Sequence, residues 1–142
     1  MFLPGDKQKD IDLLNKKNLD YDVSFLLRGF MKTSIQNGIR EVAPQDLIEH
    51  LSEYKIIDVR KPEEFTGELG HIHGAKLFTL GPDLVNFLEK EDKKSSVVFV
   101  CRSGGRSGQA TLYSQQMGFE NTYNMQGGMI YWNELKLPVE KT

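Results

Sequence analysis

A chain of 142 residues with 39% hydrophobic content can bury one modest core and is short for two full domains. Its formal charge of −2 gives no basis for a main role on nucleic acid, and no apolar run approaches membrane-spanning length. The single cysteine excludes an intramolecular disulfide framework and any multi-cysteine metal site.

The opening Met1-Phe2-Leu3-Pro4-Gly5-Asp6 turns polar too early for a secretory signal, so the cytoplasm is the expected compartment. Ile11 and Leu14 suggest a short helix, and Leu19, Val23, Leu27, Phe30 and Met31 recur at helical spacing. Residues 1–38 are therefore predicted to be a helical N-terminal extension, joined through Asn37-Gly38 to a domain spanning 39–142. Its apolar stripe needs a partner, either this domain's own surface or a second chain, which leaves monomer and homodimer both open.

From residue 39 the pattern alternates. A strand near Arg40–Val42 leads into a helix from Pro44 to about Glu53, with Leu47, Ile48 and Leu51 as its apolar face and proline in the first turn. Lys55–Val59 reads as a strand, Pro62–Phe65 as a turn or short helix, and Ala75–Phe78 as extended. A helix near Pro82–Lys90 carries Leu84, Val85 and Leu88 inward, and residues 91–96 form a solvated loop. After a strand at residues 97–101, a helix runs to Met117 with Gly118 as its C-cap. Asn121–Met125 supplies another strand and Met129–Leu135 a last helix. Strands alternating with helices predict an α/β fold with an open, mostly parallel sheet flanked by helices.

The segment V-V-F-V-C-R-S-G-G-R-S, residues 97–107, carries the chemistry. Four uncharged apolar residues read as a strand buried on both faces, with Cys101 as its last residue. A glycine-rich loop follows, and Ser107 is read as the N-cap of the next helix. Reactive groups gather at the carboxyl ends of strands in such sheets, where the next helix's N-terminus favours negative charge by about 0.3–1 kcal/mol. Two guanidinium groups and N–H groups turned inward at Gly104 and Gly105 would add to this, so the loop suits an anion or a thiolate.

The C-R-S-G-G-R-S loop resembles the active-site loop of rhodanese-like sulfurtransferases. Ile57-Asp58-Val59-Arg60 with Pro62-Glu63-Glu64-Phe65 is similar to the family's first signature. Gly70-His71-Ile72-His73-Gly74-Ala75 is similar to its second, with His73 where proline is more usual. Gly118-Phe119, Tyr123-Asn124-Met125, Gly127-Gly128-Met129 and Trp132 resemble its C-terminal signature, so the likeness covers about residues 39–137. In phosphatases and arsenate reductases of similar fold the loop between cysteine and arginine is longer, whereas here only residues 102–105 intervene. The tighter cradle favours sulfur transfer over phosphate hydrolysis.

The resemblance implies that Cys101 is the nucleophile and forms a persulfide. Arg102 and Arg106 would bind an anionic donor, and N–H groups from Ser103, Gly104, Gly105, Arg106 and Ser107 would hold the persulfide. Of the two arginines, Arg106 is the firmer anion contact, since Arg102 can point to solvent. Thiosulfate or a persulfide is the implied donor and a thiol, cyanide or a protein the implied acceptor, with no metal or organic cofactor. Asp58 reads more readily as a hydrogen-bond partner of backbone or Arg60 than as an acid or base, and Glu63 as a helix-start carboxylate or arginine partner. His71 and His73 have no accompanying ligand cluster and are given neither metal nor hydrolase roles. The readings set against sulfur transfer are a non-catalytic interaction module and, more weakly, a phosphatase or arsenate reductase.

Overall fold

A computed structural model describes residues 29–142, of which Met31–Thr142 form one compact unit. The predicted helices carrying Ile11, Leu14, Leu19, Val23 and Leu27 lie outside the described residues. Phe30 and Met31, the end of that stripe, are in non-helical backbone. Strand β1 (Ser34–Gln36) follows and pairs antiparallel with β2 (Ile39–Val42). Asn37-Gly38 is thus a hairpin turn within the sheet and not a connection into it. Both turn residues have positive φ, +53° and +78°, the conformation that matches the twist of a two-residue hairpin and that Asn-Gly adopts readily.

The remaining elements follow the predicted alternation. They are α1 (Pro44–Leu47), continued by a 3-10 segment (Ile48–Glu53), β3 (Lys55–Asp58), α2 (Pro62–Phe65), β4 (Lys76–Leu77), α3 (Pro82–Lys90), β5 (Ser96–Val100), α4 (Gly105–Gln116), β6 (Asn121–Met125) and α5 (Gly128–Glu134). Helices α1, α2 and α3 each open on proline, whose missing N–H costs nothing in a first turn. The single helix expected over 44–53 is interrupted at His50 (φ −129°, ψ 15°), a buried residue whose Nδ1 pairs with Glu53 Oε2 at 2.7 Å.

The sheet order is β1-β2-β6-β5-β3-β4, parallel throughout except for β1. Strand β5 is central, and its side chains divide with period two. Val98 and Val100 join Leu47 of α1 and Met129 and Trp132 of α5 on one face. Val97, Phe99 and Cys101 join Leu84 and Leu88 of α3 and Ala110 of α4 on the other. Both faces are covered, which is why residues 97–100 carry no charge. The cysteine at the strand's end therefore emerges on the face that α4 covers.

Candidate active site

Strand β5 ends at Val100, and Cys101 is the first residue of the loop, buried to 1% exposure. Helix α4 begins at Gly105 with Gly104 as N-cap, so the N-cap expected at Ser107 is displaced three residues upstream. The physical reason is Gly104: its φ of +104° makes the sharp turn from strand to helix that a side chain resists. Ser107 instead lies in the first turn, fully buried, with its hydroxyl against the cysteine.

Two sets of contacts orient the loop. The N-terminus of α5 takes its first carbonyls outward: Met129 N–H donates to Cys101 O at 2.9 Å and Ile130 N–H to Arg102 O at 3.0 Å. The approach is so close that a Cβ on Gly128 would stand 2.4 Å from Arg102 O. Amides face the other way. Gly104 N–H donates to Cys101 Sγ at 3.0 Å, and the first helical bond of α4 runs from Gly108 N–H to Gly104 O. The amides of Gly105, Arg106 and Ser107 occupy the first turn, where a helix supplies no acceptor of its own. The loop thus presents amide hydrogens and the positive end of α4 beside sulfur.

The charged residues sort differently from the sequence expectation. Arg106 is engaged by Glu64 in a bidentate pair, Nη1 to Oε1 at 2.7 Å and Nη2 to Oε2 at 2.9 Å. Hydrogen bonds from Arg106 hold the Glu64 carboxyl down to about 2 against the opposing effect of partial burial. The same pair raises Arg106 further above the guanidinium range. Arg102 and Ser103 are exposed. Arg102 lines a cleft of about 270 Å³ together with Arg60, Glu63, Glu64 and Glu68. Glu63 is an exposed carboxylate in the first turn of α2, and the arginine partner is its neighbour Glu64. On the opposite side of the loop a second cleft, of about 440 Å³, is lined by Glu41, Ser103, Gly104, Asn124 and Gln126.

Asp58 and Arg60 are both buried to 1% exposure and satisfy one another. Arg60 Nε donates to Asp58 Oδ1 at 2.9 Å and Nη2 to Oδ2 at 2.8 Å, with Nη2 also donating to Gly70 O at 2.7 Å. Asp58 has the Arg60 partner expected for it. His71 is stacked on Phe65 with ring centroids 3.7 Å apart, and exposed His73 pairs with Glu140. Sequence reasoning missed Asn124 and Glu41. Asn124 contacts Ser107, Glu41 and Gly104 O, and only the parallel register Glu41↔Asn124 brings these residues together.

Comparison with known proteins agrees with this geometry. The rhodanese-like domain model matches residues 43–135. The chain belongs to the rhodanese-like family. It is 38% identical over 94 residues to a Bacillus subtilis protein named putative sulfurtransferase YtwF, covering 66% of this chain and 87% of that one. An uncharacterized Synechocystis protein, slr1261, is 32% identical over 114 residues; the match takes in 79% of this chain but only 62% of the longer relative. Among solved structures, the human single-domain sulfurtransferase TSTD1 superposes with a TM-score of 0.59 at 25% identity, covering 66% of this chain and 95% of that one. No helix among the described residues is long and apolar enough to cross a membrane.

Proposed function

We propose that this chain is a sulfurtransferase that carries sulfane sulfur on Cys101. The Cys101 thiolate attacks the outer sulfur of thiosulfate or of a persulfide donor. The donor's S–S bond breaks, and sulfite or the donor thiolate leaves with the electron pair. The resulting persulfide is anionic, and its terminal sulfur needs hydrogen-bond donors and no carbonyl oxygens. An acceptor nucleophile, a thiol, cyanide or a protein group, then attacks that terminal sulfur, and the Cys101 thiolate is the leaving group.

The observation that carries this reading is the polarity of the loop. Its first two carbonyls are bonded to α5, its Gly104 amide points at Sγ, and three further amides open α4. Arg102 stands exposed at the mouth, where it can meet an anionic donor, while Arg106 braces the loop against α2. Intact-mass measurement after exposure to thiosulfate tests the proposal. Gain of one sulfur atom, lost again on adding a thiol acceptor, is expected. A chain that stays unmodified by thiosulfate and by a persulfide donor is instead a binding module.

A further inference from the structure

We propose that Asn124 is a positioning residue that competes with Cys101 for the Ser107 hydroxyl proton and so restrains the reactivity of the sulfur, and that Glu41 fixes the orientation of Asn124. The inference rests on the reading of Cys101 as nucleophile.

The direction of each hydrogen bond in this buried chain follows from donor and acceptor capacity. A carboxylate only accepts, so the Asn124 atom 2.5 Å from Glu41 Oε2 is the amide nitrogen Nδ2. A second acceptor, Gly104 O, lies 3.2 Å from the same nitrogen. Two acceptors on one side leave Asn124 Oδ1 facing Ser107 Oγ at 2.5 Å. An amide oxygen has no proton, so the single proton of Ser107 occupies that contact. Cys101 Sγ, 3.2 Å from the same Oγ, therefore meets its lone pairs. Ser107 can donate to sulfur or to Asn124 Oδ1 but not to both, and the shorter contact is the one to Asn124. Donating to sulfur requires the Ser107 proton to turn away from Asn124, leaving two acceptor oxygens face to face at hydrogen-bond distance. Ser107, Cys101 and Asn124 are all buried, so water does not repair the mismatch cheaply.

Of the other charged groups near the loop, Arg106 and Asp58 have partners of their own, and the Arg106 guanidinium acts on Cys101 only through space. Arg102 is exposed, Arg106 is paired with Glu64 of α2, and Asp58 with Arg60 beyond the end of β3. Helix α5 brings no acidic or basic residue in its first turn. Gly104 N–H donates to sulfur in either state, which leaves Ser107 as the contact that changes.

The test is alkylation of Cys101, the sole cysteine, by iodoacetamide, followed by intact mass over a pH series on the full chain. The thiolate displaces iodide, so the rate reads the thiolate directly and needs no sulfur donor. Below the pH of half-maximal wild-type reactivity, Asn124→Ala is expected to react about tenfold faster, the equivalent of one pH unit. Glu41→Gln keeps the Asn124 side chain and removes the carboxylate that demands its amide nitrogen; a turned Asn124 gives up its bond to Gly104 O, so the effect is smaller than that of Asn124→Ala. The introduced amide can donate to Oδ1, so Asn124 can turn round, donate to Ser107 and release the hydroxyl toward sulfur; acceleration in the same direction is expected. In a Ser107→Ala background neither change accelerates alkylation. Folded Asn124→Ala or Glu41→Gln with wild-type or slower alkylation overturns the proposal, as does equal acceleration without Ser107. If Asn124→Ala does not fold, Glu41→Gln alone decides. Normal alkylation differences without any sulfur adduct from donors would remove the sulfurtransferase reading and leave this one standing.

Discussion

Asp58 and Cys101 stand at the carboxyl ends of neighbouring parallel strands, with Asp58 in register with Val100, and both are about 1% exposed. Asp58 is answered within its own turn by an arginine two residues on, whose guanidinium then reaches Gly70 O. Cys101 is met by the Gly104 amide and lies 3.2 Å from the Ser107 hydroxyl oxygen of the following helix. The first end is closed, with its charge neutralised by a matched partner. The second leaves the opening amides of α4 without an intrahelical acceptor beside the proposed nucleophile. The two strand ends differ in whether donors are left unused around them, and burial alone does not make the distinction.

Exchange of the nucleophile breaks the comparison most sharply. Cys101→Ser is expected to abolish sulfur transfer with little change in thermal stability, because a hydroxyl is a far weaker nucleophile and stores no persulfide. Donor-to-acceptor assays beside thermal melts check it; transfer near the wild-type rate in folded Cys101→Ser would sink the mechanism.

The closed end should show the opposite profile. Arg60→Ala leaves Asp58 as a buried, unpaired carboxylate, and breaking such a pair typically costs about 3–5 kcal/mol. Urea unfolding should register that loss, whereas a fall well under about 1 kcal/mol would mean that the pair is solvated in solution.

A smaller effect separates the two loop arginines. Arg102→Ala should lower kcat/KM for thiosulfate by about tenfold or more, since a hydrogen bond to a charged group contributes roughly 1.5–3 kcal/mol, and should cost a persulfide donor, which lacks the sulfonate oxygens, much less. Arg106→Ala frees the Glu64 carboxylate beside the loop and should weaken both donors. Selective loss of thiosulfate use on removing Arg106 would reassign the anion contact to it.

The smallest effect is in acid. The folded-state value for Glu64 is lowered to about 2 from an ordinary 4.5, so the stability that it contributes is present above 4.5 and is lost as pH falls toward 2. The pair is partly solvated, which screens its contribution. Melting temperatures across that window should converge for wild type and Glu64→Gln as pH falls; parallel curves would show that the pair adds nothing.

Much of this arrangement was legible along the chain. The alternation of apolar runs with helical stripes anticipated β3, α2, α3, β5, α4, β6 and α5 to within a residue or two, because each has a local signal: proline at a first turn, a glycine stop, an uncharged strand buried on both faces. The Asn-Gly hairpin carried an equally local signal, but the helical spacing of the residues before it drew residues 31–38 into the extension. At the site, the cysteine and its glycine turn were recognisable because a strand-to-helix reversal with inward amides needs those residue types in immediate succession.

Partners distant in sequence were not legible. Glu63 and Glu64 are adjacent carboxylates, and only the direction of the first turn of α2 selects Glu64 for Arg106. Ser107 has a suitable residue type for an N-cap, yet the left-handed turn at Gly104 starts the helix earlier and places its hydroxyl between Cys101 Sγ and Asn124 Oδ1. Glu41 and Asn124 are 83 residues apart and meet through the pairing of β2 with β6. Local sequence determined the element types, the place of the cysteine at a strand end and the shape of its loop, since these depend on backbone preference and short-range pattern. Strand register and helix packing decided which donor faces which acceptor, because a hydrogen bond has an ångström-scale reach that sequence spacing does not specify.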